Sequence, residues 1–207
     1  MLASVNTMSS EIRKYELKAR AESQRETRDR ITRAATDLHI ELGPARTTVA
    51  EIARRAGVTR LTVYNHFADL EALLPACAGH FQSLHPTPDL EGALAVEDPQ
   101  ERVSAALTLW YGWFRETAEL WSKVLSDRVA LPELDRFLDS GIDQWQRDLV
   151  VALAEPSGGP KAGHEQRVLL RLAVDFWTWQ RLNNEGLDDR QAADLMAATV
   201  VRESVGA

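Results

Sequence analysis

VAEIARRAGVTRLTVYNHF, residues 49–67, places two short apolar-periodic segments on either side of Gly57. Thr48-Val49-Ala50-Glu51 has the form of a capping box and opens the first segment, with Val49, Ile52, Ala53 and Ala56 on its inner side. Glycine reaches positive φ without a Cβ clash, so Gly57 suits a sharp corner. Ala53, four residues earlier, is small enough to let a second helix approach. That second helix, Thr59 to His66, turns Val63 inward to meet Ile52 and Val58. Arg60, Thr62, Asn65 and His66 are left on a polar face, with Tyr64 beside them. The stretch predicts two helices meeting at a tight corner around a small core.

Working outward, nearly everything else reads as helix. Upstream, Ser23-Gln24-Arg25-Glu26 is another capping-box pattern, followed by an apolar stripe of Ile31, Ala35, Leu38 and Leu42 that Gly43-Pro44 ends. Residues 10–22 hold no breaker and include a Glu16–Arg20 pair at i,i+4, so they either lengthen this helix or form a mobile basic arm. Downstream, Asp69 caps a helix toward residue 84 that His85-Pro86-Thr87-Pro88 breaks. Asp98-Pro99 starts a helix through about Glu116. Pro132 opens another, with Leu134, Phe137, Leu138, Ile142, Trp145, Leu149 and Leu153 at helical spacing. EPSGGPKAG, residues 155–163, is a flexible connection, and two helices close the chain at about 164–183 and 189–204, the second capped by Asp188. No stretch alternates with period two for long. The expectation is an all-α fold of about nine helices without internal repeats.

Composition narrows the function classes. The chain has 207 residues, 44% hydrophobic and 27% charged, which suits a globular protein with a sizeable core. Its single cysteine, Cys77, excludes an intramolecular disulfide and fits a reducing cytoplasm. The start has no apolar segment of signal-peptide type, and the longest apolar run, Leu149 to Ala154, is far too short for a bilayer, so no membrane role and a cytoplasmic location are expected. The net charge of −7 is unevenly spread: residues 1–66 carry 12 Lys/Arg against 8 Asp/Glu, whereas the remainder is strongly acidic. A basic front on an acidic body points to an anionic partner for the front alone, or to no more than a basic solvated helix.

A corner of this kind carrying a polar second helix can place that helix in the major groove of DNA, its first residues toward base edges. The run TVAEIARRAGVTRLTVYNHF resembles the DNA-binding signature of the tetracycline-repressor (TetR) family, over roughly residues 24–74. The resemblance implies an N-terminal three-helix DNA-binding domain with a helix-turn-helix, followed by a C-terminal helical domain for ligand binding and dimerisation. It gives residues 1–22 as a basic extension, 23–70 as the DNA-binding domain and 71–207 as the effector and dimerisation domain. It further implies that Thr48 and Thr59 lie near phosphate and that Arg60 and Leu61 meet base edges. An arginine there can pair with guanine O6/N7, worth about 1–3 kcal/mol of discrimination, and Leu61 can neighbour a thymine methyl. Thr62, Tyr64 and His66 become phosphate and sugar anchors, which position without specifying. Asn65 either reads adenine or solvates the groove edge. One departure stands out: Leu70 occupies a place where the family usually carries a phosphate-binding lysine, and basic residues upstream, Arg25 and Arg28 among them, would have to compensate.

The acidic body is rich in large aromatics. Each tryptophan taken alone suits an ordinary core, but together they exceed what a small bundle needs and suggest an aromatic-lined cavity. By the resemblance the middle helices hold a small-molecule effector, apolar or aromatic, with Phe81, Trp110, Trp113, Phe114, Trp121 and Trp145 as lining candidates and His85, Asp143 or Asp175 as a polar handle. Cys77, His80 and His85 lack a fourth ligand, and a packed thiol beside two histidines explains them better than a metal. No catalytic grouping, glycine-rich phosphate loop or cofactor motif is present, so neither enzyme activity nor a cofactor is expected. The last two helices carry more apolar surface than one partner helix buries, and the resemblance pairs them with their mates in a homodimer. Two recognition helices would then reach successive major grooves of a pseudo-palindromic double-stranded operator, about 34–36 Å apart. The expected protein is a transcriptional regulator, foremost a repressor released by a ligand. An activator or ligand-independent regulator comes next, and an all-α partner-binding module or enzyme last.

Overall fold

A computed structural model describes residues 3–154 and 163–202; the expected connection at 155–163, save Gly163, lies outside the described residues. Eleven α-helices and no strand are present among the described residues, so the all-α expectation holds. None of these helices is long and apolar enough to cross a membrane. The chain divides into two compact units, Met1–His80 and Phe81–Ala207.

The first unit opens with α1 (Ala3–Leu42), a single helix of 40 residues. The capping box at Ser23 goes unused: Ser23 sits inside α1, where its carbonyl accepts the Thr27 hydroxyl at 2.9 Å. The physical reason is the absence of a breaker upstream, since adding a turn to an existing helix costs far less than nucleating one. Gly43, at φ 89°, ends α1 with its N–H on the His39 carbonyl at 3.0 Å. A 3-10 turn (Pro44–Arg46) leads to α2 (Val49–Ala56), then α3 (Arg60–His66) and α4 (Leu70–Leu84), the last belonging to this unit through His80. Ile31, Ala35 and Leu38 of α1 meet Ile52, Ala53 and Ala56 of α2, Val63 of α3, Phe67, and Leu73 and Cys77 of α4 in one core. Val58 and Leu42 pack at its edge. The stripe and corner residues read from the sequence are therefore the ones in this core or packed at its edge.

The second unit holds α5 (Glu91–Leu94), α6 (Pro99–Asp127), α7 (Pro132–Leu138), a π-helical turn (Asp139–Asp143), α8 (Gln144–Ala154), α9 (His164–Ala173), α10 (Phe176–Asn184) and α11 (Asp189–Arg202). α6 is its spine and packs most extensively on α11, while α8 packs on α9. α6 outruns its expected end because nothing between Glu116 and Asp127 interrupts it and Lys123 pairs with Glu119 at i,i+4. Two segments expected as single helices are divided. A π turn separates α7 from α8, with Arg128 bonded to Asp135 of α7 and to Asp143 at the turn's end. Asp175 caps α10 by accepting the Thr178 N–H at 3.0 Å, which separates α10 from α9.

Candidate nucleic-acid interface and aromatic body

The recognition corner is built from local bonds. Thr48 caps α2 reciprocally: its hydroxyl accepts the Glu51 N–H at 3.2 Å, and the Glu51 carboxylate accepts the Thr48 N–H at 3.2 Å and hydroxyl at 2.8 Å. These bonds from Thr48 hold the Glu51 carboxyl below its ordinary pKa. At the far end Gly57 adopts φ 66°, the Val58 N–H reaches the Ala53 carbonyl at 3.0 Å and the Gly57 N–H reaches that of Arg54 at 3.4 Å. This is the paired bond pattern of a left-handed helix stop. Thr59 then caps α3 by accepting the Thr62 N–H at 3.1 Å, and the two hydroxyls lie 2.8 Å apart.

Val63 alone of α3 is buried, so the helix is pinned by one side chain and offers the rest outward. Arg60, Leu61, Tyr64 and Asn65 are exposed, Thr62 and His66 half-buried. Leu61 is 69% and Tyr64 52% accessible, an arrangement that no intramolecular packing explains. Arg60 and Asn65 have no side-chain partner among the described residues. The structure thus brings Thr59, Arg60, Leu61, Thr62, Tyr64, Asn65 and His66 together on one short helix, with Thr48 exposed at the start of α2. The sequence presents Arg28 of α1 only as a charge, yet its guanidinium donates to the His66 carbonyl at 2.7 Å and lies 4.0 Å from the Phe67 ring centre. It closes the C-terminal end of α3, where a cation also complements the helix dipole. Arg55 makes a bidentate pair with Glu41, joining α2 to α1.

In the second unit the aromatic candidates form one array. Trp110 stacks on Trp113 at 4.8 Å and touches Phe114 at 4.6 Å and Trp145 at 4.5 Å; Trp113 in turn meets Trp121 at 5.6 Å. Phe81 packs on His85, whose carbonyl accepts the Trp113 indole N–H at 3.1 Å. Two residues outside the candidate set, Phe176 and Trp179, join through Phe114. The sequence assigns their helix to the dimer surface, because spacing alone does not show which face α6 covers. The array is tied to the backbone: Trp110 donates to the Val174 carbonyl at 3.0 Å and Tyr111 to that of Ala173 at 2.6 Å. Burial, with Asp175 nearby, drives the Tyr111 hydroxyl pKa far upward. The Trp121 indole nitrogen is buried and has no partner among the described residues. Trp110 and Phe114 are fully buried, whereas Trp121 and Trp145 are half-buried. Of the polar handles, Asp143 is engaged by Arg128 and Asp175 by Thr178. A groove of about 820 Å³ lies elsewhere in this unit, along α5, α6 and α11, and none of the six aromatic candidates lines it.

Cys77 lies in the core of the first unit, its thiol pKa pushed up to about 11 by burial. No group of three or more His, Cys, Asp or Glu able to hold a metal ion is found among the described residues.

Comparison with known proteins follows the same division. The family described as "Bacterial regulatory proteins, tetR family" matches residues 31–77, from Ile31 in the last third of α1 to Cys77 in α4. The HTH-type transcriptional regulator TtgR of Pseudomonas putida is 44% identical over 68 residues, 33% of this chain and 31% of TtgR. A regulator of Mycobacterium tuberculosis, Rv2250c, is 47% identical over 49 residues, 24% of this chain and 26% of its own. The chain therefore spans about a quarter to a third of the length of these curated relatives. The regulator TtgW of Pseudomonas putida is matched more fully, 37% identical over 106 residues that cover 44% of this chain and 79% of TtgW. Two solved structures share the fold over most of the chain. A TetR-like regulator from Rhodococcus sp. RHA1 has TM-score 0.58 at 17% identity, covering 87% of this chain and 97% of that one. The regulator PfmR from Thermus thermophilus has TM-score 0.55 at 20% identity, covering 83% and 97%. A corner built on Gly57, an outward-facing α3 and this agreement in sequence and fold place the chain in the tetR family of bacterial DNA-binding transcriptional regulators.

Proposed function

We propose that the chain is a homodimeric repressor that a small apolar or aromatic effector releases from a pseudo-palindromic operator. The observation that carries the DNA side is the outward face of α3, where Arg60, Leu61, Tyr64 and Asn65 are exposed and Arg60 and Asn65 lack partners among the described residues. Arg60 and Leu61 read base edges in this proposal, Asn65 reads adenine or lines the groove, and Thr48, Thr59, Thr62, Tyr64 and His66 take phosphates and sugars. Thr48 has one hydroxyl proton, and that proton now faces Glu51, so a phosphate contact from Thr48 would exchange one carboxylate for another anion.

The effector reading rests on the aromatic array. A buried indole N–H without an acceptor costs about 1–3 kcal/mol, so Trp121 favours a ligand that supplies an acceptor oxygen or nitrogen. In this proposal the effector meets the array of Trp110, Trp113 and Phe114, which touch one another, and the half-buried Trp121 and Trp145, with Phe81 as a further contact. The effector's leverage on DNA binding equals its differential affinity for the two conformations, typically about 1–3 kcal/mol.

Gel shift against duplexes selected from a random pool tests the DNA assignment. Arg60→Ala should relax discrimination at one base position, by about 1–3 kcal/mol. Tyr64→Phe should weaken all sites alike. Equal loss on all sequences for both variants would remove Arg60 from the reading role. Transcription that rises rather than falls when the selected site is occupied would make the chain an activator.

A further inference from the structure

α1 runs well beyond the core it helps to build, and N-terminal to Arg30 its charges are sorted by side. A helix advances about 100° per residue, so positions can be referred to the side occupied by Arg28. Where α1 covers the core, that side carries Ile31, Ala35, Leu38 and His39, all buried. Toward the N-terminus the same side carries Leu17, Ala21 and Gln24, flanked by Lys18, Arg20 and Arg25. Glu16, Glu22, Glu26 and Asp29 fall on the opposite half. All side chains from Tyr15 to Glu26 are exposed. A helix serving only solvent has no reason to separate its signs in this way. Arg28 bonds the His66 carbonyl and covers Phe67, so the cation-bearing side leaves the core beside the C-terminal end of α3.

We propose that the N-terminal part of α1 is a second DNA-contacting element, which lays Lys18, Arg20 and Arg25 on backbone phosphates flanking the half-site that α3 reads. The proposal rests on the DNA-binding reading of α3. Lys18 stands about 15 Å along the helix axis from Arg28. At about 3.4 Å per base pair, that reach adds about four base pairs outside each half-site. Phosphate contacts carry no sequence information, so this element would raise affinity and fix register while α3 specifies. The side facing DNA holds one exposed leucine among cations, which suits a polyanion better than a second helix.

The test uses a duplex selected from a random pool by the full chain. Three proteins are compared on it: the full chain, a variant lacking residues 1–22, and the exposed-site variant Lys18→Gln/Arg20→Gln/Arg25→Gln. The triple variant should bind more weakly, and its slope of log affinity against log salt should flatten by about 0.9 per lost phosphate contact. The nuclease footprint of the truncated chain should shorten by about four base pairs at each end. Unchanged slope and footprint, with selection intact, would overturn this inference and leave the α3 reading standing. A full chain that enriches no sequence would overturn both. A truncated chain that sediments as a monomer where the full chain is a dimer would assign the extension to self-association and sink the DNA role.

Discussion

Gly57 shows how little of a motif depends on side-chain chemistry. A Cβ built there would find its nearest neighbour, Arg30 Nη1, at 3.9 Å, so space is available and only the φ of 66° resists substitution. Gly57→Ala should therefore destabilise the chain by about 1–2 kcal/mol through backbone strain alone, and Gly57→Asn by less, read from urea unfolding. Cys77 makes a different single-residue argument. Burial raises its thiol from the ordinary 9.0 to about 11, a thiol–Thr36 hydrogen bond opposing this only partly. The unfolded thiol loses its proton first as pH rises, so the folded state binds more protons between pH 9 and 11 and stability must fall across that window. The shift corresponds to about 2–3 kcal/mol. A thiol reagent at pH 8 should leave the native chain unmodified and label it in urea; rapid native labelling would contradict the burial.

At the scale of elements, starts are legible in the sequence and ends are not. Thr48, Asp69 and Asp98 each accept the N–H three residues on and are read from the sequence as caps, and Thr59, read there as the first residue of its helix, caps α3 in the same way. A cap is local, so the sequence displays it. The Ser23 box misleads because the same four-residue pattern is tolerated inside a helix that nothing upstream has stopped. The break between α9 and α10 is held by distant groups: Trp110, Tyr111 and Gln146 take the carbonyls of Val174 and Ala173 that a continuous helix would have used. Asp175 is its only local sign. The outward face of α3 is legible because it occupies seven consecutive residues, whereas the recruitment of Phe176 and Trp179 into the aromatic array depends on contacts more than 60 residues apart in the chain. Asp189 illustrates such a long-range joint. It accepts Arg115 of α6 at 2.7 and 2.8 Å and the Trp179 indole of α10 at 3.0 Å, at the first residue of α11. Burial raises its carboxyl pKa, but the bonds from Arg115 and Trp179 outweigh that and hold it below the ordinary 3.8. A depressed aspartate stabilises above its unfolded pKa and loses that contribution as pH falls through the folded one. Asp189→Asn should therefore cost about 1 kcal/mol at neutral pH, with the gap to the parent narrowing below about pH 4. A gap that stays constant with pH would show that the charge contributes nothing.

For the whole molecule, the decisive feature is the set of apolar side chains left outside the second unit. Val168 and Leu172 on α9 are 39% and 49% accessible, Trp177 on α10 is 43% and Leu195 on α11 is 49%. Val168 and Leu172 stand at i,i+4, and Leu195, Met196 and Thr199 share one side of α11, so each helix presents a row rather than a scattered residue. Rows of this kind on two helices fit a two-fold interface, in which the same patch meets itself. One α3 spans only a few base pairs, so its specific affinity is weak until a second α3 is fixed on the next turn of the same DNA face, about 34–36 Å away. In the proposed function, dimerisation is thus the step that converts a short recognition helix into a selective one. Leu172→Glu/Leu195→Glu places a charge in each row without touching the buried Leu170, Ala173, Ala193 or Ala197. The variant should keep its helicity, sediment as a monomer at micromolar concentration and lose sequence-selective binding by at least an order of magnitude. Its weak, salt-sensitive binding to unselected DNA should survive, because that depends on cations of the first unit. A variant that remains dimeric and selective would mean that these rows are covered by something other than a second copy.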